Sequence, residues 1–369
     1  MDSFLILPAS ERAQLIEEAA TRHGRMSSQI VEKDLWVCWT LKQLFNIPEL
    51  APHLTFKGGT SLSKAYGLID RFSEDVDLTI DKEYLGIDEN SWPKDVSSRK
   101  ARQEFRKILD KACTDIIAGK LLPLLKKNFS KTLGNNKTDG YSWDINIAEN
   151  DALTIMFHYP RCVNYGMGYG AGAFGAGPFG EGKLGYIKSV VRLEFGARGD
   201  SFPVASHSFI PYAAELIPEV FENPASINVT TSALEAERTF WEKVTILHEL
   251  YHREKDKPLK QTIARHYYDT VMLARKGVAA NATEQKNLLE AVVKNTKLNC
   301  TDSNDSPTYK AYDDLLKHKI QLAPPMKYLS HLQKDYADMQ ESGMFFADFP
   351  GFDEIVQELR QLEKKLNHL

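Results

Sequence analysis

The stretch Phe56 to Ile80, FKGGTSLSKAYGLIDRFSEDVDLTI, constrains this chain more than any other. It reads as a strand, a small-residue turn at Gly58-Gly59-Thr60-Ser61, a short helix, and a second strand holding Asp75-Val76-Asp77. Side chains at i and i+2 of a strand share a face. Asp75 and Asp77 therefore project together while Val76 turns to the core. Two carboxylates that close repel each other, and a cation between them removes the cost. Hard oxygen donors suit Mg²⁺, with Mn²⁺ as a substitute, and leave coordination positions for water and substrate phosphates. The glycines let the backbone approach a phosphate, and the following helix aims free N–H groups at it. Ser73 lies two residues before Asp75 on the same face, a candidate phosphate contact or modification site. A solvated acidic strand after an ordinary turn would explain the D-x-D alone. The glycine turn and the run Arg71 to Leu78 argue for more.

The chain has 369 residues, enough for two domains with ample core. Its net charge of −4 excludes a general attraction to nucleic acid, so any such partner needs a local basic patch. The four cysteines are widely spaced, which suggests neither a zinc site nor a disulfide framework. No stretch reaches the length of a membrane span, and the N-terminus lacks a basic, long-apolar leader. These features fit a cytoplasmic protein without a membrane partner.

Along the chain, residues 9–24 read as a helix capped by Ser10 and ended by Gly24, and a second, buried helix runs from Ser27 or Ser28 to Phe45. Residues 97–127 read as a basic amphipathic helical region broken near Gly119 and Pro123. Arg99, Lys100, Arg102, Arg106, Lys107 and Lys111 make it a solvated face or a phosphate-backbone contact. Strands are expected over Tyr141–Ile147, Ala152–Tyr159 and Lys188–Phe195. In the last, Val190, Arg192 and Glu194 share one face, and Glu194 can pair with Arg192 or Arg198. Between them lies 165–186, with nine glycines among aromatics, a low-complexity loop or an adaptable aromatic surface. Residues 199–230 read as loop-rich and hold the domain boundary. Beyond it, Ser232 to Glu235 looks like a capping box for a helix to His252, with Phe240, Val244, Leu247 and Tyr251 as its core stripe. Lys243 flanks that stripe, at the core edge or facing a cleft. Arg265 and Asp269 stand at i and i+4 of the next helix, spaced for an intrahelical ion pair.

KGGTSLSKAYGLIDRFSEDVDL resembles the signature of AbiEii/AbiGii-type toxins of the nucleotidyltransferase superfamily: a GG[ST]-type turn, then R-x-S-x-D-[IV]-D-L. Two later blocks, RTFWEKVTILH around Lys243 and IARHYYDTV around Asp269, resemble further motifs of the family in the same order. His266 departs from the acid frequent there. Glu32-Lys33-Asp34 resembles an E-K-D run near the family's start; it also reads as a charged face with local pairing, and carries no assigned role.

The resemblance implies an α/β fold with a mixed sheet flanked by helices over 1–210 and a helical C-terminal domain over 211–369, which lends Lys243 and Asp269 to the cleft. It implies transfer of NMP from an NTP, with Asp75, Asp77 and Glu194 as metal carboxylates. Gly58, Gly59, Thr60, Ser61 and Ser73 would then cradle phosphate, and Lys243 would bind the triphosphate, oriented by Asp269. The expected setting is a toxin–antitoxin or phage-defence pair with a separate antitoxin, and tRNA 3′ ends as acceptor. Transfer to a protein hydroxyl, or nucleotide binding without turnover, are the alternatives.

Overall fold

A computed structural model describes residues 1–368 apart from 89–91, 94–96, 135–141, 164–186, 222, 255–258 and 260–261. Seven strands form one mixed sheet: β1 Leu54–Lys57, β2 Asp75–Ile80, β3 Asp144–Ala148, β4 Asp151–His158, β5 Val191–Gly196, β6 Val204–Phe209 and β7 Val229–Leu234. Their spatial order is β3-β4-β5-β2-β1-β7-β6. β2 runs antiparallel to β1 and parallel to β5, so it lies inside the sheet with a neighbour on each side. The mixed α/β expectation holds.

One face of the sheet is apolar. Val76, Leu78, Leu193 and Phe195 point there and join a cluster with the Ser28–Phe45 helix. Trp39 packs on Phe129 at 4.6 Å between ring centroids, and Phe129 on Phe157 at 4.7 Å. Each such fully buried aromatic contributes about 1.5–3 kcal/mol by leaving water. A second apolar cluster is built almost wholly from helices after Ala236. Leu62 and Ile69, from the stretch between β1 and β2, belong to this second cluster. Phe72 N–H also donates to Met344 O at 2.7 Å. The signature stretch thus packs in both clusters, which fixes the helical region against the polar face of the sheet.

Several local expectations change. Ser27, as expected, caps its helix by accepting from Ile30 N–H, whereas the helix Ala9–His23 has Pro8 at its N-cap and no cap from Ser10. Gly24 does end that helix, in the left-handed region at φ 78°. The helix Arg99–Ile116 is not broken at Gly119; a π turn, Ile117–Leu121, carries it into Leu122–Leu133. Arg102, read as part of a basic face, is buried and donates to the carbonyls of Cys300, Ser97 and Asp302. Ser232 to Leu234 is strand, not a capping box, because β7 pairs along its whole length with β6. That strand lies beyond residue 211 yet completes the sheet, and the helix begins only at Ala236. Phe240, Val244 and Leu247 are buried, but Tyr251 is exposed. Glu32, Lys33 and Asp34, read as a charged face, are buried. The glycine-rich stretch 165–186 lies outside the described residues.

Candidate active site

Residues directly opposite each other on paired strands share a face. The β1–β2 register sets Lys57 against Asp77, and the β2–β5 register sets Asp75 against Arg192 and Asp77 against Glu194. Pairing alone thus gathers three acids and two cations on the polar face. Helices Ala236–His252 and Ala264–Arg275 close over them, bringing Lys243, Arg265 and Asp269 to the same cleft.

The two glycines are required by contact. Gly58 sits at φ 77°, and a Cβ there would lie 2.0 Å from Asp77 Oδ2. A Cβ on Gly59 would lie 2.7 Å from Ser73 Oγ and 2.9 Å from Arg71 Nη2. Both glycines line the cleft, and they form the first turn of the helix Gly58–Lys64 directly, without a separate turn before it. Thr60 and Ser61, expected to cradle phosphate, turn their side chains elsewhere. The Thr60 hydroxyl donates to the carbonyls of Ser73 and Asp75, and that of Ser61 to Gly58 O. Both are buried, and neither lines the cleft. Their work is to fix the helix start and the entry to β2. Ser73 does line the cleft.

The acidic end is loosely paired. Arg192 Nη2 meets Glu194 Oε1 at 2.9 Å, while its Nε stands 3.4 Å from Asp75 Oδ1. Arg265 Nη1 stands 3.7 Å from Asp75 Oδ2. Burial pushes the Asp77 carboxyl up to about 6; Lys57 pulls it down, while Glu194 and Asp75 add to the rise. Among the described residues, no three His, Cys, Asp or Glu side chains gather closely enough to hold a metal by themselves. Glu194, expected as a third metal carboxylate, is bound to Arg192. Two aspartates on one face, one of them resisting ionisation, still fit a hard divalent cation that takes its other ligands from water and phosphate.

The basic end is tight. Arg71 grips both oxygens of Asp269, Nε to Oδ1 at 2.7 Å and Nη2 to Oδ2 at 2.8 Å. Lys243 Nζ meets the same Oδ2 at 2.6 Å. Burial would raise the Asp269 carboxyl, but Arg71 and Lys243 outweigh it and hold it below the ordinary carboxylate range. Burial lowers Lys243; Asp269 opposes this, and Arg71 and Arg265 reinforce it. One carboxylate between two cations leaves a net positive charge facing the cleft. That is what an incoming polyphosphate would meet.

The intrahelical pairing read for Arg265 and Asp269 does not form: Arg265 reaches Asp75, and Asp269 faces Arg71 and Lys243. Arg71, Lys57 and Arg265 were not singled out as site residues from the sequence. Arg71 stood in the quoted R-x-S-x-D run, which was the available signal. Lys57 opens the KGGTS block of the signature, but nothing in its type or spacing marked it as a site residue. His266, which replaces a frequent acid, lines the cleft with its imidazole pushed well below its ordinary value, chiefly by burial and then by Lys243.

A family model described as "Nucleotidyl transferase AbiEii toxin, Type IV TA system" matches residues 39–358. Among solved structures, MenT4, a nucleotidyltransferase toxin from Mycobacterium tuberculosis H37Rv, is similar over 97% of this chain and 98% of its own, at 15% identity and a TM-score of 0.38. No curated protein matches. No helix among the described residues is long and apolar enough to cross a membrane.

Proposed function

The chain belongs to the AbiEii family of nucleotidyltransferase toxins of type IV toxin–antitoxin systems, and on that premise we propose that it transfers NMP from an NTP to RNA, at the 3′ end of tRNA. The family carries with it an NTP substrate and a cognate antitoxin. The observation that supports the reading most is one cleft lined by Gly58 and Gly59, by Asp75, Asp77 and Glu194, and by Lys243 with Asp269.

Asp75 and Asp77 would hold Mg²⁺, or Mn²⁺, and the bound ion would supply charge neutralisation at the reacting phosphate and acceptor oxygen. The remaining work falls to the chain. Gly59, lacking a side chain, admits the phosphates beside the Ser73 hydroxyl. Lys243 and Arg71 present positive charge to the triphosphate, and Asp269 keeps the Lys243 ammonium aimed. The acceptor hydroxyl attacks the α-phosphorus in line; the new O–P bond forms as the bond to pyrophosphate breaks. Glu194 is the third acid of this end. With its side chain 38% accessible against 20% for Asp75, it would be the acid that takes the acceptor proton. RNA would need a local positive patch on a chain of net charge −4, and Arg265, which lines the cleft beside Asp75, would be part of it.

The test incubates purified protein, Mg²⁺ and each α-³²P-labelled NTP with total tRNA and, separately, with cell protein. Label in tRNA that vanishes in D75A/D77A is the expected result and names the NTP. Label confined to protein would overturn the RNA acceptor. No label in either pool, with NTP still bound, would overturn transfer by the protein alone.

A further inference from the structure

Three consecutive charged residues, Glu32, Lys33 and Asp34, sit inside the Ser28–Phe45 helix at 0%, 1% and 1% exposure. Successive residues on a helix point about 100° apart, so the three reach three different neighbours. Glu32 Oε1 accepts from Cys162 N–H at 2.6 Å. Lys33 Nζ meets Glu74 Oε2 at 2.6 Å. Asp34 takes Lys64 Nζ at 2.9 Å on Oδ1 and Tyr212 N–H at 2.6 Å on Oδ2. The Lys64 ammonium also lies 3.5 Å over the Tyr212 ring.

Buried ion pairs are weak sources of stability, because desolvation offsets their attraction and apolar replacements do as well. What they supply is direction: each contact, whether a hydrogen bond or, for Asp34–Lys64, a close ion pair, fixes a distance that apolar packing leaves adjustable. The segments held here are those that shape the cleft. Glu74 immediately precedes Asp75, and Lys64 is the last residue of the helix that opens with Gly58 and Gly59. The Thr60 hydroxyl ties that helix to the carbonyls of Ser73 and Asp75. Both segments are therefore bolted to one buried helix and to each other.

We propose that Lys33 and Asp34 are positioning residues of the active site: through Glu74 and Lys64 they set the entry of the Asp75 strand and the glycine-bearing helix in register. This inference rests on the nucleotidyl-transfer reading. Neither residue lines the cleft, so each acts through its partner. The two latches should leave different signatures, with Lys33–Glu74 governing metal binding at Asp75 and Asp34–Lys64 governing the NTP site at Gly59.

The test measures Mn²⁺ binding by calorimetry, thermal unfolding, and kcat and KM for labelled NTP on the full chain. K33M/E74L removes both charges and leaves neither orphaned. It is expected to melt near the wild-type temperature, bind Mn²⁺ at least tenfold more weakly and lose at least tenfold in kcat. D34N/K64M is expected to raise KM for NTP at least fivefold with Mn²⁺ binding within threefold of wild type. E74D keeps both charges and shortens the reach by one methylene; it should weaken Mn²⁺ binding at least threefold, and it decides the question if the double variants do not fold. Wild-type Mn²⁺ affinity in folded K33M/E74L or in E74D would overturn the inference and mark the run as merely structural. A wild-type chain that binds Mn²⁺ yet labels no acceptor counts against transfer, and the Mn²⁺ arm still decides the positioning role.

Discussion

The two ends of the cleft are built on opposite principles. At the acidic end, Asp75 has two arginine neighbours at 3.4 and 3.7 Å, and Asp77 resists ionisation. At the basic end, one carboxylate takes three short bonds of 2.6 to 2.8 Å from two buried cations. The acidic end is left electrostatically unsettled, so an arriving cation has something to gain. The basic end is settled already and holds its charge in place before any phosphate arrives. Preorganisation of this kind lets a fixed positive charge act without rearranging during the reaction. On the proposed function, the two roles would correspond to a difference in how tightly the charges are paired.

The comparison can be broken first at the acidic end. D75A/D77A should lower NMP transfer at least about a thousandfold, about 4 kcal/mol of barrier. Its unfolding free energy in urea should not fall by more than about 1 kcal/mol, since little pairing is lost; a large loss would show that the acids hold the fold together. At the basic end the order reverses. D269A leaves Arg71 and Lys243 buried without their anion, and should cost about 3–5 kcal/mol of stability by chemical denaturation. A cost under about 1 kcal/mol would end the idea of a rigid frame.

The acidic end can then be sharpened by pH. The Asp77 carboxyl is raised from 3.8 to about 6 in the folded state. Between those values the folded chain holds a proton that the unfolded chain has released, so stability falls as pH rises through that window. Above pH 6 the ionised group costs about 3 kcal/mol. D77N should therefore melt higher than wild type in metal-free buffer at pH 7.5, and the gain should vanish below about pH 4. Mn²⁺ binding to wild type, followed by calorimetry, should strengthen as pH rises through about 6. The smallest effect is expected for R192A. Its partly exposed pairs contribute about 1 kcal/mol or less, so thermal unfolding should barely move even as Glu194 loses its partner.

How much of this was readable follows the range of the interaction. The Asp75-Val76-Asp77 strand, the Ser27 cap and the Gly24 stop were legible because period, capping and positive φ are settled within a few residues. The β7 strand was misread as a capping box because its Ser-to-Glu spacing is a local pattern, while its pairing with β6 and β1 is not. Thr60 and Ser61 looked like phosphate ligands by type, and packing turned their hydroxyls to backbone carbonyls instead. Motif resemblance marked Lys243 and Asp269, but not their company. Arg71 meets Asp269 across 198 residues of chain, and no periodicity marks such a partner.

By itself the sequence determined the chemistry on offer: two aspartates on one strand face, glycines beside them, and a lysine and an aspartate on later helices. It also determined the mixed α/β class and the local elements. Only the tertiary structure decided which charges meet. It gave Arg265 to Asp75 rather than to Asp269 four residues away, and buried Glu32, Lys33 and Asp34 where a solvated face was equally plausible. The physical reason is that local conformation depends on neighbours within a turn or two. The partner of a charge depends instead on which elements pack together, and the cost of burying a charge falls steeply once packing supplies a partner.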